Sequence, residues 1–226
     1  MTFRFEKEIE RLKKQILNLG AVVEDRLHLA VQALQQQDQD CARQVIKGDF
    51  EIDQLEVDLE EECLKLLALH QPVAIDLRFI IAVLKINNDL ERIGDLAVNI
   101  SERSLYYCRQ TDQDMPVDFE PMSTQVKRML KNSLDALVNK DTSVAIQVLE
   151  EDDYVDRAHE KNFEFIGAKI KSNPEKVDCL QNLLSASRHL ERIADLATNI
   201  AEDVIYMIEG NIVRHRSDHY IRENQS

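Results

Sequence analysis

Apolar residues recur every three or four positions along most of the chain, the period of a helix that buries one face. Phe5, Ile9, Leu12, Ile16, Leu19, Val23, Leu27, Ala30 and Leu34 form one such stripe and predict a long first helix. The polar break Gln35-Gln36-Gln37-Asp38 follows. Asp38 there is suited to cap a short helix that ends near Lys47-Gly48, because glycine favours helix C-termini. A second long helix is expected from Asp49, with Ile52, Leu55, Leu59, Cys63, Leu66 and Leu69 inward. It should stop at His70-Gln71, since Pro72 disfavours helical backbone in the residue before it. A third helix is predicted from about Ile75 to Arg109, with Phe79, Val83, Ile86, Leu90, Ile93, Ala97 and Ile100 as its core stripe.

The stretch from Thr111 to Pro121 holds two prolines and no helical period, and reads as a linker. Beyond it the first half repeats. Ala33, Leu34, Asp38, Ala42, Gln44 and Val45 recur as Ala136, Leu137, Asp141, Ala145, Gln147 and Val148, offset by 103. Asp49, Ile52 and Asp53 recur as Asp152, Val155 and Asp156 at the same offset, and Pro72 as Pro174 at 102. The last helix is expected from Glu175 to Gly210, with Leu183, Ala186, Leu190, Ile193, Ala197, Ile200, Val204 and Met207 inward. The fold class is therefore all-α, a tandem duplication of a three-helix bundle with six main helices. The first bundle is assigned to residues 1–110, the linker to 111–121 and the second bundle to 122–213. A polar tail, 214–226, is expected to fray.

Composition narrows the function. The 226 residues carry a net charge of −14, with no tryptophan, five glycines and four prolines. Such a balance argues against nucleic acid and against an anionic membrane surface, which need clustered Lys or Arg. No run of apolar residues is long enough to span a bilayer, and the N-terminus lacks a signal-peptide core, so a cytoplasmic protein is expected. Cys41, Cys63, Cys108 and Cys179 are scattered without a C-x-x-C pair and read as ordinary buried or half-buried thiols.

The sharpest chemical signal is also a repeat. Glu91-Arg92-Ile93-Gly94-Asp95-Leu96-Ala97-Val98-Asn99-Ile100 returns as Glu191-Arg192-Ile193-Ala194-Asp195-Leu196-Ala197-Thr198-Asn199-Ile200, with eight of ten residues identical. On a helix Glu91, Asp95 and Asn99 share one face, and two acids four residues apart repel by roughly 0.2–0.5 kcal/mol. They border the core stripe, and a second acidic row stands on the middle helix of each unit, Asp49 and Asp53 in one, Asp152 and Asp156 in the other. Oxygen-only sets of this kind suit Mg²⁺, Ca²⁺, Mn²⁺ or iron, and suit zinc poorly. The bland alternative is a solvated face neutralised by Arg92 and Arg192. Gly94 costs a helix about 1 kcal/mol against alanine, which close helix packing would explain.

Asp76-Leu77-Arg78 opens the third helix. Asp76 suits the positive end of the helix dipole. Arg78 does not, and reads equally as a partner contact or as a salt bridge to Asp76 or the second helix.

The two E-R-I-[GA]-D-x-A-x-N-I copies, Gln71-Pro72-Val73-Ala74-x-Asp76-Leu77-Arg78, and Glu202-Asp203-Val204-Ile205-Tyr206-Met207-Ile208-Glu209-Gly210 resemble the PhoU family over nearly the whole chain. The resemblance implies a duplicated three-helix fold and a cytoplasmic protein, often a homodimer, that is not an enzyme. Its implied role is to repress the phosphate-starvation response and to modulate the phosphate ABC transporter when phosphate is plentiful. The implied partners are a sensor histidine kinase and the transporter's ATPase subunit. It also implies iron or another divalent ion at Glu91 and Asp95 and at Glu191 and Asp195. One departure stands out: Leu196 takes a place where relatives often carry histidine, so the second site is expected to be weaker. His189 precedes the motif and reads as a structural histidine more readily than as a ligand.

Two rivals remain. A carboxylate-bridged metal enzyme on a helical bundle would need paired Glu-x-x-His motifs, and only Asp156-x-x-His159 comes near. A metal-free helical adaptor would use the acids for solubility alone.

Overall fold

In the computed structural model, which describes residues 3–109 and 115–210, six long helices follow one another. They are α1 (Phe3–Gln36), α2 (Gln39–His70), α3 (Ala74–Arg109), α4 (Glu120–Asn139), α5 (Thr142–Ser172) and α6 (Val177–Glu209). A single 3-10 turn, Pro174–Lys176, joins α5 to α6. No strand occurs among the described residues, and no helix there is long and apolar enough to cross a membrane. The fold is the expected all-α duplication, α1–α3 followed by α4–α6.

The repeat extends to the caps. Asp38 accepts from the amides of Asp40 and Cys41 at 2.9 and 3.0 Å, and Asp141 from those of Ser143 and Val144 at 2.9 and 3.3 Å. These bonds satisfy donors that a helix start leaves open. α2 ends at Gln71, whose left-handed backbone (φ 44°) directs its N–H to Leu67 O at 3.2 Å. Pro72 follows, as the sequence indicates.

The short helix expected to end at Lys47-Gly48 does not exist. α2 runs unbroken from Gln39 through Gly48 to His70. Gly48 is there for space: a Cβ would lie 2.6 Å from Arg26 Cζ, so the missing side chain lets Arg26 of α1 pass over α2. The linker is also shorter at its far end than expected. α4 begins at Glu120 with Pro121 in its first turn, a position where proline's missing N–H costs nothing. Before it, Val117 and Phe119 are buried, and Gln35 Nε2 donates to Val117 O at 3.5 Å. Residues 111–114 of the expected linker, the side chain of Cys108 and the polar tail lie outside the described residues. Cys63 and Cys179 are buried and Cys41 half-buried.

The buried apolar side chains form one cluster spanning both units, from Leu12, Ile16 and Leu27 of α1 to Leu183, Ile193 and Val204 of α6. Its most extensive helix pairing is α3 with α6, across the two repeats, and α1 packs on α4 in the same sense. That pairing positions the site.

Candidate functional site: a groove on the repeat axis and its flanking acidic sets

Three contacts set the register of α3 on α6. Arg78 Nε donates to Met207 O at 2.8 Å, Lys85 Nζ to Asp203 Oδ1 at 2.9 Å, and Arg103 to Asn182 Oδ1 at 3.4 Å. Early residues of one helix meet late residues of the other, so the two run antiparallel. The motif copies, 91–100 and 191–200, therefore meet at the midpoint, related by a pseudo-twofold axis. A groove of about 510 Å³ opens there, lined by Arg92, Asp95, Leu96, Asn99 and by Arg192, Asp195, Leu196, Asn199.

Asp95, Asn99, Asp195 and Asn199 thus share one groove, an arrangement the sequence alone did not imply. The remaining acids divide by unit. In the first, burial raises the carboxyl of Asp49, and Asp53 and Asp95 push it further in the same direction. Burial likewise raises Glu91, aided by the charges of Asp95, Asp53 and Glu56. In the second, burial carries Asp152 up to about 7, with Asp156, Asp195 and Glu191 adding to the effect. Glu191 and Asp195 are raised by burial, then by neighbouring carboxylates, with Arg192 opposing. The expected rows do face one another in both units, and Glu56 joins the first set from a position that sequence reasoning missed. Glu56 is held by Asn87 Nδ2 at 3.0 Å. At the matching place in the second unit His159 Nδ1 meets Ser187 Oγ at 3.0 Å.

The fit to a cation differs between the sets. Among the described residues, no three His, Cys, Asp or Glu side chains converge as the ligands of one ion would. The second set nevertheless holds a buried carboxylate oxygen, Asp152 Oδ1, with no hydrogen-bond partner. A half-buried carboxyl with one buried, unpartnered oxygen and four carboxyls around it is a group that a hard cation would stabilise. That set is the more strongly perturbed of the two, although Leu196 belongs to it.

Gly94 is explained by packing. A Cβ there would stand 2.9 Å from Ile52 Cδ1, so the glycine lets α2 close on α3 beside the acids. Ala194 is buried at the equivalent place. Arg92 reaches Asp89 only loosely, at 3.9 Å. His189 is driven down to about 4 by burial and by Arg103, Arg192 and Arg188. Surroundings of guanidinium groups are the opposite of what a cation ligand needs, which leaves the structural reading of His189.

Arg78 corrects the sequence reading. Its guanidinium is committed to the last turn of α6 through Met207 O, within the molecule. An arginine at the positive end of α3 is thereby placed at the negative end of its antiparallel neighbour, where it is stabilised. Asp76 is half-buried in the first turn of α3, as its dipole preference indicates. Lys85 and Asp203 were also missed. Asp203 is 2% exposed and could be placed opposite Lys85 only once the α3–α6 pairing was known.

Comparison with known proteins fits this architecture. The PhoU domain model matches twice, at residues 16–104 and 119–204. A phosphate-specific transport system accessory protein PhoU homolog of Aquifex aeolicus is 39% identical over 93% of this chain and 95% of its own length. The accessory protein PhoU of Escherichia coli is 32% identical over 94% of this chain and 88% of its own length. The crystal structure of PhoU from Pseudomonas aeruginosa superposes with a TM-score of 0.86 at 36% identity, covering 92% of this chain and all of that one. The phosphate transport system regulatory protein PhoU from Streptococcus pneumoniae gives 0.84 at 30% identity, covering 92% of this chain and 99% of that one. Two domain matches, one per three-helix unit and meeting on the α3–α6 axis, make this chain a member of the PhoU family.

Proposed function

We propose that this chain is a regulator of phosphate homeostasis, not an enzyme. In this reading it represses the phosphate-starvation response and modulates the phosphate ABC transporter when phosphate is plentiful. It does so as a cytoplasmic homodimer that binds a sensor histidine kinase and the transporter's ATPase subunit. The observation that carries the reading is likeness along more than nine-tenths of the chain to proteins named for accessory function in phosphate-specific transport. The test is deletion of the gene in its host with a phosphate-repressible reporter. The reporter should stay on in high phosphate and be silenced again by the intact chain. Normal repression after deletion would refute the proposal.

Within that reading the acidic sets hold iron or another divalent cation, through Asp152, Asp156, Glu191, Asp195 and Asn199 in one unit. The corresponding residues in the other are Asp49, Asp53, Glu91, Asp95 and Asn99. The support is the unpartnered Asp152 oxygen and the raised carboxyls around it. A cation bound there supplies positive charge that lets these carboxyls ionise together. Elemental analysis of the purified chain checks this: Glu191→Gln/Asp195→Asn should lower metal content, and an unchanged content in both this variant and Glu91→Gln/Asp95→Asn would remove the assignment. A metal-free adaptor is the second reading, favoured by the absence of convergent ligands among the described residues.

A further inference from the structure

α2 carries a feature that neither the core nor the acidic sets use. Phe50, Val57 and Leu64 are 73%, 46% and 52% exposed. At seven-residue spacing on a helix they drift by only about 20° per step, so they form one straight stripe on the outer face. Single exposed apolar side chains are ordinary, but a stripe in heptad register is half of a helix–helix seam. The fold does not require it. At the matching positions of α5 the second unit has Asp153, Glu160 and Gly167, within an unbroken helix.

The flanks specify what would cover it. Glu60 borders the stripe on one side and Glu61 on the other, both exposed, and Lys65 beyond Glu61 is already paired with Glu62 at 3.2 Å. A second copy of α2 would set these acids against each other, a repulsive arrangement of the kind that steers helix pairing away from self-association. A helix with lysines or arginines beside its own apolar seam would instead pair Glu60 and Glu61.

We propose that the outer face of α2 is a docking site for a basic amphipathic helix of a partner protein. This rests on the reading of the chain as a partner-dependent regulator and names the chemistry of one contact. The probe is a synthetic helix with a leucine heptad seam flanked by lysines, and its twin flanked by glutamates. Both are titrated by fluorescence anisotropy against the intact chain. The lysine helix should bind at least about tenfold more tightly than its twin, a difference of about 1.4 kcal/mol. Phe50→Asp/Val57→Glu, which copies the residues α5 already carries, should remove that binding while circular dichroism and light-scattering mass stay unchanged. Equal binding of the lysine helix to parent and variant would mean charge attraction alone, and would overturn the site. A lower mass for the variant would make the face a self-interface, which also overturns it. A failed reporter test with peptide discrimination intact would sink the regulatory reading and leave the surface standing.

Discussion

Asp152 is the residue whose environment most departs from an ordinary surface acid. Burial and four neighbouring carboxylates push it up to about 7, against 3.8 for an unhindered aspartate. The folded chain therefore binds a proton here that the unfolded chain releases, between about pH 4 and 7. Stability from this group is lost as pH rises through that window, the reverse of a salt-bridged aspartate. His189, held near 4, acts in the opposite direction below pH 6.5, so the whole-protein profile mixes the two. Asp152→Asn isolates the first. In chelator-treated, metal-free protein its melting temperature should exceed the parent's at pH 8, with the advantage shrinking as pH falls below 7. An advantage independent of pH would show that Asp152 is not the group responsible. None of this was readable from Asp152 itself, because its perturbation comes first from burial and then from acids that include Glu191 and Asp195, distant in the chain. Arg78 is the same case from the other side. Its local setting leaves a partner contact and a salt bridge to Asp76 or α2 equally open, and only the fold shows its bond to the distant end of α6.

Among the elements, what the sequence determined locally and what it left open are cleanly separated. Asp38 and Asp141 are caps because a side-chain oxygen one step before a helix serves amides two and three residues on, which is local chemistry. Pro72 ends α2 for an equally local reason. Gly48 misled because its cause is not local. Glycine is a stop signal where the chain turns left-handed, as at Gly210 with φ 76°, but inside α2 it is a gap beneath Arg26. Gly94 and Ile52 make the same point at the acidic site. Pro121, assigned to the linker, lies in the first turn of α4, since proline is equally at home in a loop and at a helix start. The α2 stripe of Phe50, Val57 and Leu64 lies on the face opposite the inward stripe of Ile52, Leu59 and Leu66, so one helix carries two apolar faces. Which of the two is covered is decided by the fold.

For the whole molecule, the duplication describes ancestry better than it describes mechanics. The two units bury a single continuous apolar cluster, and α3 packs on α6 across the repeat boundary. Cutting between the units would expose that face to water, at about 25 cal/mol for each Å² of apolar surface. Thermal unfolding followed by calorimetry should accordingly show one cooperative transition. Two resolved transitions, one for each half, would show that the α3–α6 interface is too weak to couple them.

The sequence by itself determined the all-α class, the duplication, the family and the motif acids on α3 and α6, though not the continuity of α2 through Gly48 or the place of Glu56. Each of these is written in short-range periodicity or in a recurring motif, and helix geometry converts spacing into faces without further information. The tertiary structure alone decided that the two motif copies meet in one groove on the α3–α6 axis. It alone joined Lys85 to Asp203 and gave Arg78 its place, and it left one Asp152 oxygen buried without a partner. Those facts depend on how two helices a hundred residues apart are set against each other. That register is chosen by the packing of the whole apolar cluster, and no local stretch of sequence records it.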